Sequence, residues 1–188
     1  GKPHVKLRPL LLPVLEVYMS SPKNLIIEYK EYGLSKARME PYKYASWTRG
    51  ETTLEIVSPV QHEIPCIALP YCPSAKLEAE LIDVKGGMPG DFEAVSRKLR
   101  GKIVMATSFP GRGLGRSVHR SEKYTRSALG GGVGFIFMNH YEGLGPATGS
   151  IADNREALIP GISISIGWKR KLGSILRIWK FSWPTRGN

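Results

Sequence analysis

Four histidines (His4, His62, His119, His140) and two cysteines (Cys66, Cys72) have the widest chemical repertoire in this chain, and their spacing limits what they can do. A catalytic zinc needs three protein ligands around an open position, and a His-Glu-x-x-His helix supplies two of them from one face. No such run occurs, and no histidine stands two residues before an aspartate. The four fall on an N-terminal arm, a strand start, a glycine-rich loop and a strand end. They read as isolated surface or capping residues, and no metal ligand is assigned. Cys66 lies in an apolar strand, where a thiol behaves as a small hydrophobe. With Cys72 it brackets the segment 67–71, a spacing compatible with a small disulfide loop, although two free, half-buried thiols are the plainer expectation. No Gly-x-Ser-x-Gly elbow exists, since Gly161-Ile162-Ser163-Ile164-Ser165 departs from it. Asp91 and Glu93 sit in a Gly/Pro-rich turn and read as capping, solvated carboxylates. No catalytic residue follows from these patterns.

The loop from Phe109 to Arg120 is the most suggestive stretch. It reads Phe-Pro-Gly-Arg-Gly-Leu-Gly-Arg-Ser-Val-His-Arg, after one strand and before a helix. Backbone amides of such a turn can hold an anion, with Arg112, Arg116, His119 and Arg120 as the binding candidates. The phosphate-loop ending Gly-Lys-Ser/Thr is missing, and the glycine spacing is not Gly-x-Gly-x-x-Gly. A solvated loop is the plainer reading. Lys169, Arg170, Lys171 and Arg177 form a second basic cluster, which suits an anionic surface or a docking helix with solvated lysines.

The elements that position these residues follow from pattern. Ser21-Pro22 starts a helix over 22–32, with Leu25, Tyr29 and Tyr32 at helical spacing and Gly33 as its stop. Residues 34–44 read as extended, Ser46 to Gly50 as a turn, and Thr53 to Val57 as a strand closed by Pro59. Further strands are expected at 63–69, 76–84, 102–108, 133–139 and 159–166. Leu77, Ala79, Leu81 and Asp83 alternate with Glu78, Glu80 and Ile82, the period of a half-exposed strand. Val133 to Met138 is continuously apolar and reads as a strand covered on both faces. A helix over 121–129 ends at Gly130 to Gly132, and a last amphipathic helix runs over about 168–179, with Leu172, Ile175, Leu176 and Trp179 on one face. This is a strand-rich α/β pattern without internal repeat.

Bulk composition agrees. The 188 residues are 41% hydrophobic and 23% charged, as in an ordinary globular chain. The formal charge of +11 favours anionic partners: nucleic acid, an anionic membrane face or an acidic protein surface. No apolar run approaches the ~18 residues of a membrane span. Leu10 to Leu15 follows Lys2, Lys6 and Arg8, a weak imitation of a signal peptide. Pro13 and Glu16 interrupt it, so residues 1–20 read as an N-terminal arm. The compartment stays undefined.

In order along the chain, several stretches resemble a protease-associated domain. They are Leu77-Glu78-Ala79-Glu80-Leu81-Ile82-Asp83-Val84 with Gly86 to Phe92, and Leu99-Arg100-Gly101-Lys102-Ile103-Val104. Lys123, Ala128 and Gly134 with the strand to Asn139 follow, and then Ile159-Pro160-Gly161-Ile162-Ser163-Ile164-Ser165. Tyr32 to Tyr44 and Ser46 to Pro59 are similar to the region before this domain in zinc aminopeptidases and glutamate-carboxypeptidase-like proteins. The triple glycine at 130–132 and the arginine-rich loop depart from the pattern. The resemblance implies a swivelling β/β/α domain over 61–168, preceded over 21–60 by the start of a peptidase domain. A C-terminal helix and tail follow over 169–188. It also implies that zinc belongs to a peptidase domain beyond this one. The chain reaches Asn188 without the family's His-x-Asp, so no catalytic residue and no cofactor carry over, and a separated accessory fragment is expected. Its partners would be a peptide, a protein such as a peptidase domain, or a second copy. The rival expectation is a basic module for nucleic acid or an anionic membrane.

Overall fold

Strand-forming side chains dominate the sequence between its Gly/Pro turns, and a single eight-stranded sheet results. The computed structural model describes residues 4–11, 22–36, 38–39, 47–58, 61–108, 118–139, 145–152 and 155–167. In chain order the elements are β1 (His4–Leu11), α1 (Pro22–Glu31), β2 (Arg49–Ser58), β3 (His62–Glu63), β4 (Cys66–Ala68) and β5 (Leu77–Asp83). They continue as α2 (Pro89–Glu93), β6 (Ile103–Thr107), α3 (Arg120–Leu129), β7 (Gly134–Asn139) and β8 (Gly161–Ser165).

The strand order is β3-β2-β1-β5-β6-β7-β8-β4. Strands β5 to β8 run parallel, and every other pairing is antiparallel. Only Ile64 and Pro65 separate β3 from β4, so one passage of chain serves both ends of the order. Along it, Ile64 N donates to Leu54 O at 2.8 Å, and the Cys66 thiol approaches Thr52 O at 3.7 Å. The sheet therefore curls until its ends meet. Proline lacks the N–H a continuous ladder needs, which is why the strand expected over 63–69 is split at Pro65.

Two apolar cores follow from the curl. Leu54 and Ile56 of β2 pack with Ile103, Met105, Ile136, Met138, Ile162 and Ile164 between the two layers of strand. Val104, Ala106, Phe135 and Phe137 point the other way, against Phe92 of α2, Tyr124 of α3 and the loop residues Leu69 and Ile151. The fold is strand-rich α/β, as the sequence pattern predicts, with the helices α2 and α3 on one side of the curled sheet. Strand β7 is buried at all six positions, so both of its faces are covered. Strand β5 is divided as its alternation foretold: Leu77, Ala79 and Leu81 meet the inter-strand core, and Ile82 meets the helix side.

Several local expectations change. Arg49 and Gly50, expected in a turn, already belong to β2. Described residues 34–36 and 38–39, expected to be extended, hold a turn and no strand. Within the stretch read as an arm, residues 4–11 form a strand between β2 and β5, with Val5 opposite both Ile56 and Ala79. Asp91 sits in the short helix α2, and its Oδ2 accepts from Met88 N at 3.0 Å, the capping role expected of it. Helix α1 ends as predicted: Gly33 has φ +86°, its N–H donates to Lys30 O, and Leu34 N donates to Tyr29 O. The C-terminal helix over 168–179 lies outside the described residues.

Candidate interaction surface on the helix between the central strands

Helix α3 crosses from β6 to β7, and its first turn stands near the carboxyl ends of the parallel strands, where open α/β sheets place ligands. His119 is its N-cap. The ring Nδ1 accepts from Ser121 N at 3.3 Å and lies 2.8 Å from Ser121 Oγ. Arg120 follows with its guanidinium 5.1 Å from the centre of the Phe137 ring. Its Nε reaches Ser150 O at 3.5 Å. A Cβ on Gly149 would stand 2.0 Å from the Arg120 Nη2, so the backbone there approaches the cation as only glycine permits. Burial lowers the Arg120 pKa.

One turn further, Lys123 is 2% exposed. Its Nζ donates to Thr107 O at 2.7 Å and lies 5.9 Å from the Phe137 ring centre. Loss of water pushes its pKa down to about 8, against the opposing pull of Asp91 and Glu122. Two cations thus share one aromatic ring, and neither is ion-paired among the described residues. The sequence named Lys123 only as part of a motif. Tyr124 and Ser127 are buried beside it, and no apolar pattern in the helix signals this, because two of the three are polar.

The folded pKa of Lys123 lies below its ordinary 10.5, so the unfolded chain binds more protons between about 8 and 10.5. Stability should therefore rise with pH across that window. Urea midpoints measured through this range should climb more steeply for the native chain than for Lys123→Met. Parallel profiles would contradict the burial of a charge at this position.

Of the four binding candidates, His119 and Arg120 come together at the first turn of α3, and both have local partners. Arg112 and Arg116 lie outside the described residues. Cys66 and Cys72 are free, as expected. Burial, with Glu63 nearby, pushes the Cys66 thiol up to about 12, and burial likewise raises Cys72. Neither is an activated nucleophile. Among the described residues, no three His, Cys, Asp or Glu side chains cluster closely enough to hold a metal ion. No helix of these residues is long and apolar enough to cross a membrane.

The geometry defines a strand-rich α/β domain in which Arg120 and Lys123 of one helix are drawn out of solvent onto the Phe137 ring. No protein-family model and no curated protein matches the chain. Among solved structures it is similar to an aminopeptidase from Aneurinibacillus sp. strain AM-1. Identity there is 20%, covering 95% of this chain and 32% of that one, with a TM-score of 0.53. It is also similar to BSAP, a zinc aminopeptidase from Bacillus subtilis, at 24% identity, 59% and 25% coverage and a TM-score of 0.47. A second crystal structure of BSAP gives 20% identity, 89% and 30% coverage and a TM-score of 0.49. The chain spans 25 to 32% of the length of these structures. At such identities the likeness is one of fold.

Proposed function

We propose that this chain is a non-catalytic protease-associated module of a zinc aminopeptidase-like protein, bordering a peptidase cleft and controlling substrate access or holding a partner. The observation that carries the reading is the fold likeness to the Aneurinibacillus aminopeptidase, which takes in 95% of this chain but only 32% of that one. The placement of α2 and α3 on one side of the curled sheet and the ordered motifs from Leu77 to Ser165 support the narrower term. Zinc would then reside in the peptidase domain of the larger protein and not here.

An exposed apolar set fits the same reading. Ile27, Tyr32, Leu34 and Met39 are each more than half exposed, on α1 and just after it. A run of large apolar side chains of this kind marks a surface that meets another, whether a peptidase domain or a second copy. The net charge of +11 favours a second reading, a basic module for nucleic acid or an anionic membrane. Equilibrium dialysis tests the first reading. The chain should retain no stoichiometric zinc, and tight one-to-one retention would contradict it. Binding to duplex DNA that weakens steeply with salt would favour the second.

A further inference from the structure

The outer side of α3 faces a groove of about 730 Å³, lined opposite the helix by Ile151, Ala152 and Arg155. Ile151, 1% exposed, and half-buried Ala152 lie at its base, and Leu129, 77% exposed, stands open at one end. These lining residues and the helix are held in place by their own bonds. Ala152 N donates to Ser150 Oγ at 3.3 Å, and Arg155 N donates to Ala152 O at 2.9 Å. Tyr124 Oη both donates to Ile159 O and accepts from Ile159 N, at 2.9 and 2.8 Å, tying the following segment to α3. The groove is therefore preformed.

Its charges are unequal. The one carboxylate, Glu122, is gripped by Arg126 through Nη2 at 3.0 Å and Nε at 3.3 Å. Arg155 is exposed and makes no ion pair among the described residues. An occupant therefore meets an apolar base beside a guanidinium that is unpaired among the described residues, in a chain of net charge +11. The volume lies within the ~300–1,000 Å³ of clefts that take small ligands or short segments, so the fit is to a segment and not a folded face. The lining comes from a helix and from Ile151, Ala152 and Arg155, and among the described residues no strand edge is part of it. Recognition must come from side chains, with the carboxylate supplying orientation.

We propose that this groove docks an acidic peptide segment, seating an aliphatic side chain between Leu129 and Ala152 with a neighbouring carboxylate on Arg155. The inference goes beyond the accessory-module reading and does not depend on it, because α3 with Ile151, Ala152 and Arg155 lines the groove. A failed peptide titration would leave that reading standing.

The test is fluorescence anisotropy of the whole chain with a short labelled peptide of alternating Glu and Leu. Saturable binding is expected, weakening as salt screens the charge. Arg155→Glu should weaken it by about tenfold or more, the size of a lost anchor contact. Thr125→Trp, which fills the groove from the exposed side of α3, should do the same. Lys98→Glu makes an equal charge change at an exposed position outside the groove lining and should stay within about twofold. Circular dichroism of each variant checks that the fold is kept. The proposal is overturned if no saturable binding occurs, if Lys98→Glu weakens binding as much as Arg155→Glu, or if a Lys-Leu peptide binds equally well.

Discussion

Phe135→Ala and Ile136→Ala should each lower the unfolding free energy severely, although the two residues are neighbours on one strand. Phe135 is fully buried on the helix side, edge-on to Tyr124 with ring centres 5.6 Å apart. Ile136, 1% exposed, points into the core between the strand layers. Truncating a buried phenylalanine costs about 3–5 kcal/mol, and truncating a buried isoleucine about 2–5 kcal/mol. Either loss is a large share of the ~5–15 kcal/mol that holds a domain together. Urea denaturation reads both. A strand with one solvated face would show a large effect at only one of the two positions, and that result would contradict the two-core arrangement.

The second large effect is expected at the end of α3. Gly131 has φ +85° and donates to Ala128 O, while Gly132 N donates to Ser127 O, the paired bonds that close a helix with a left-handed residue. A Cβ on Gly132 would stand 2.8 Å from Ser127 O and 2.9 Å from Val104 Cγ2. The chain has no room there, because α3 and β6 meet at that point. Gly132→Val should cost about 3 kcal/mol, the upper end of ordinary over-packing. Gly145→Val, where nothing lies within 4 Å of an added Cβ, is the control and should change the denaturation midpoint little. Equal effects at the two sites would show that close approach is not what glycine serves at 132.

The sequence made the central strands plain and left the sheet's edges obscure. Strands β7 and β5 were readable because their apolar patterns are local, a continuous run in one and an alternation in the other. The break at Pro65 is also local, yet its consequence is not. One passage of chain closes the sheet only because β2 and β8 lie on either side of it, and that pairing is a long-range fact. Strand β1 was harder still, since Pro9 and the prolines around it made the stretch look like an arm. What holds it is backbone pairing with β2 and β5, whose positions the local sequence does not encode.

The candidate surface was legible in outline only. Arginines and a histidine beside glycines suggested an anion-binding turn, but α3 begins at Arg120, one residue earlier than expected, and makes His119 the cap. Arg120 then lies over Phe137 and against Gly149, contacts that cross α3, β7 and the loop at 145–150. The groove on the other side of the helix could not be foreseen, because Arg155 and Ala152 reach it only through the fold. Pattern reveals which residues are on a helix face, not what that face will meet.

The functional account rests most directly on one measurement, hydrolysis of aminoacyl chromogenic substrates by the purified chain with zinc supplied. The account predicts no release above the buffer rate, because it assigns the chemistry to a peptidase domain and only an accessory role to this one. Turnover that persists through repurification, disappears with a chelator and returns with zinc would contradict it.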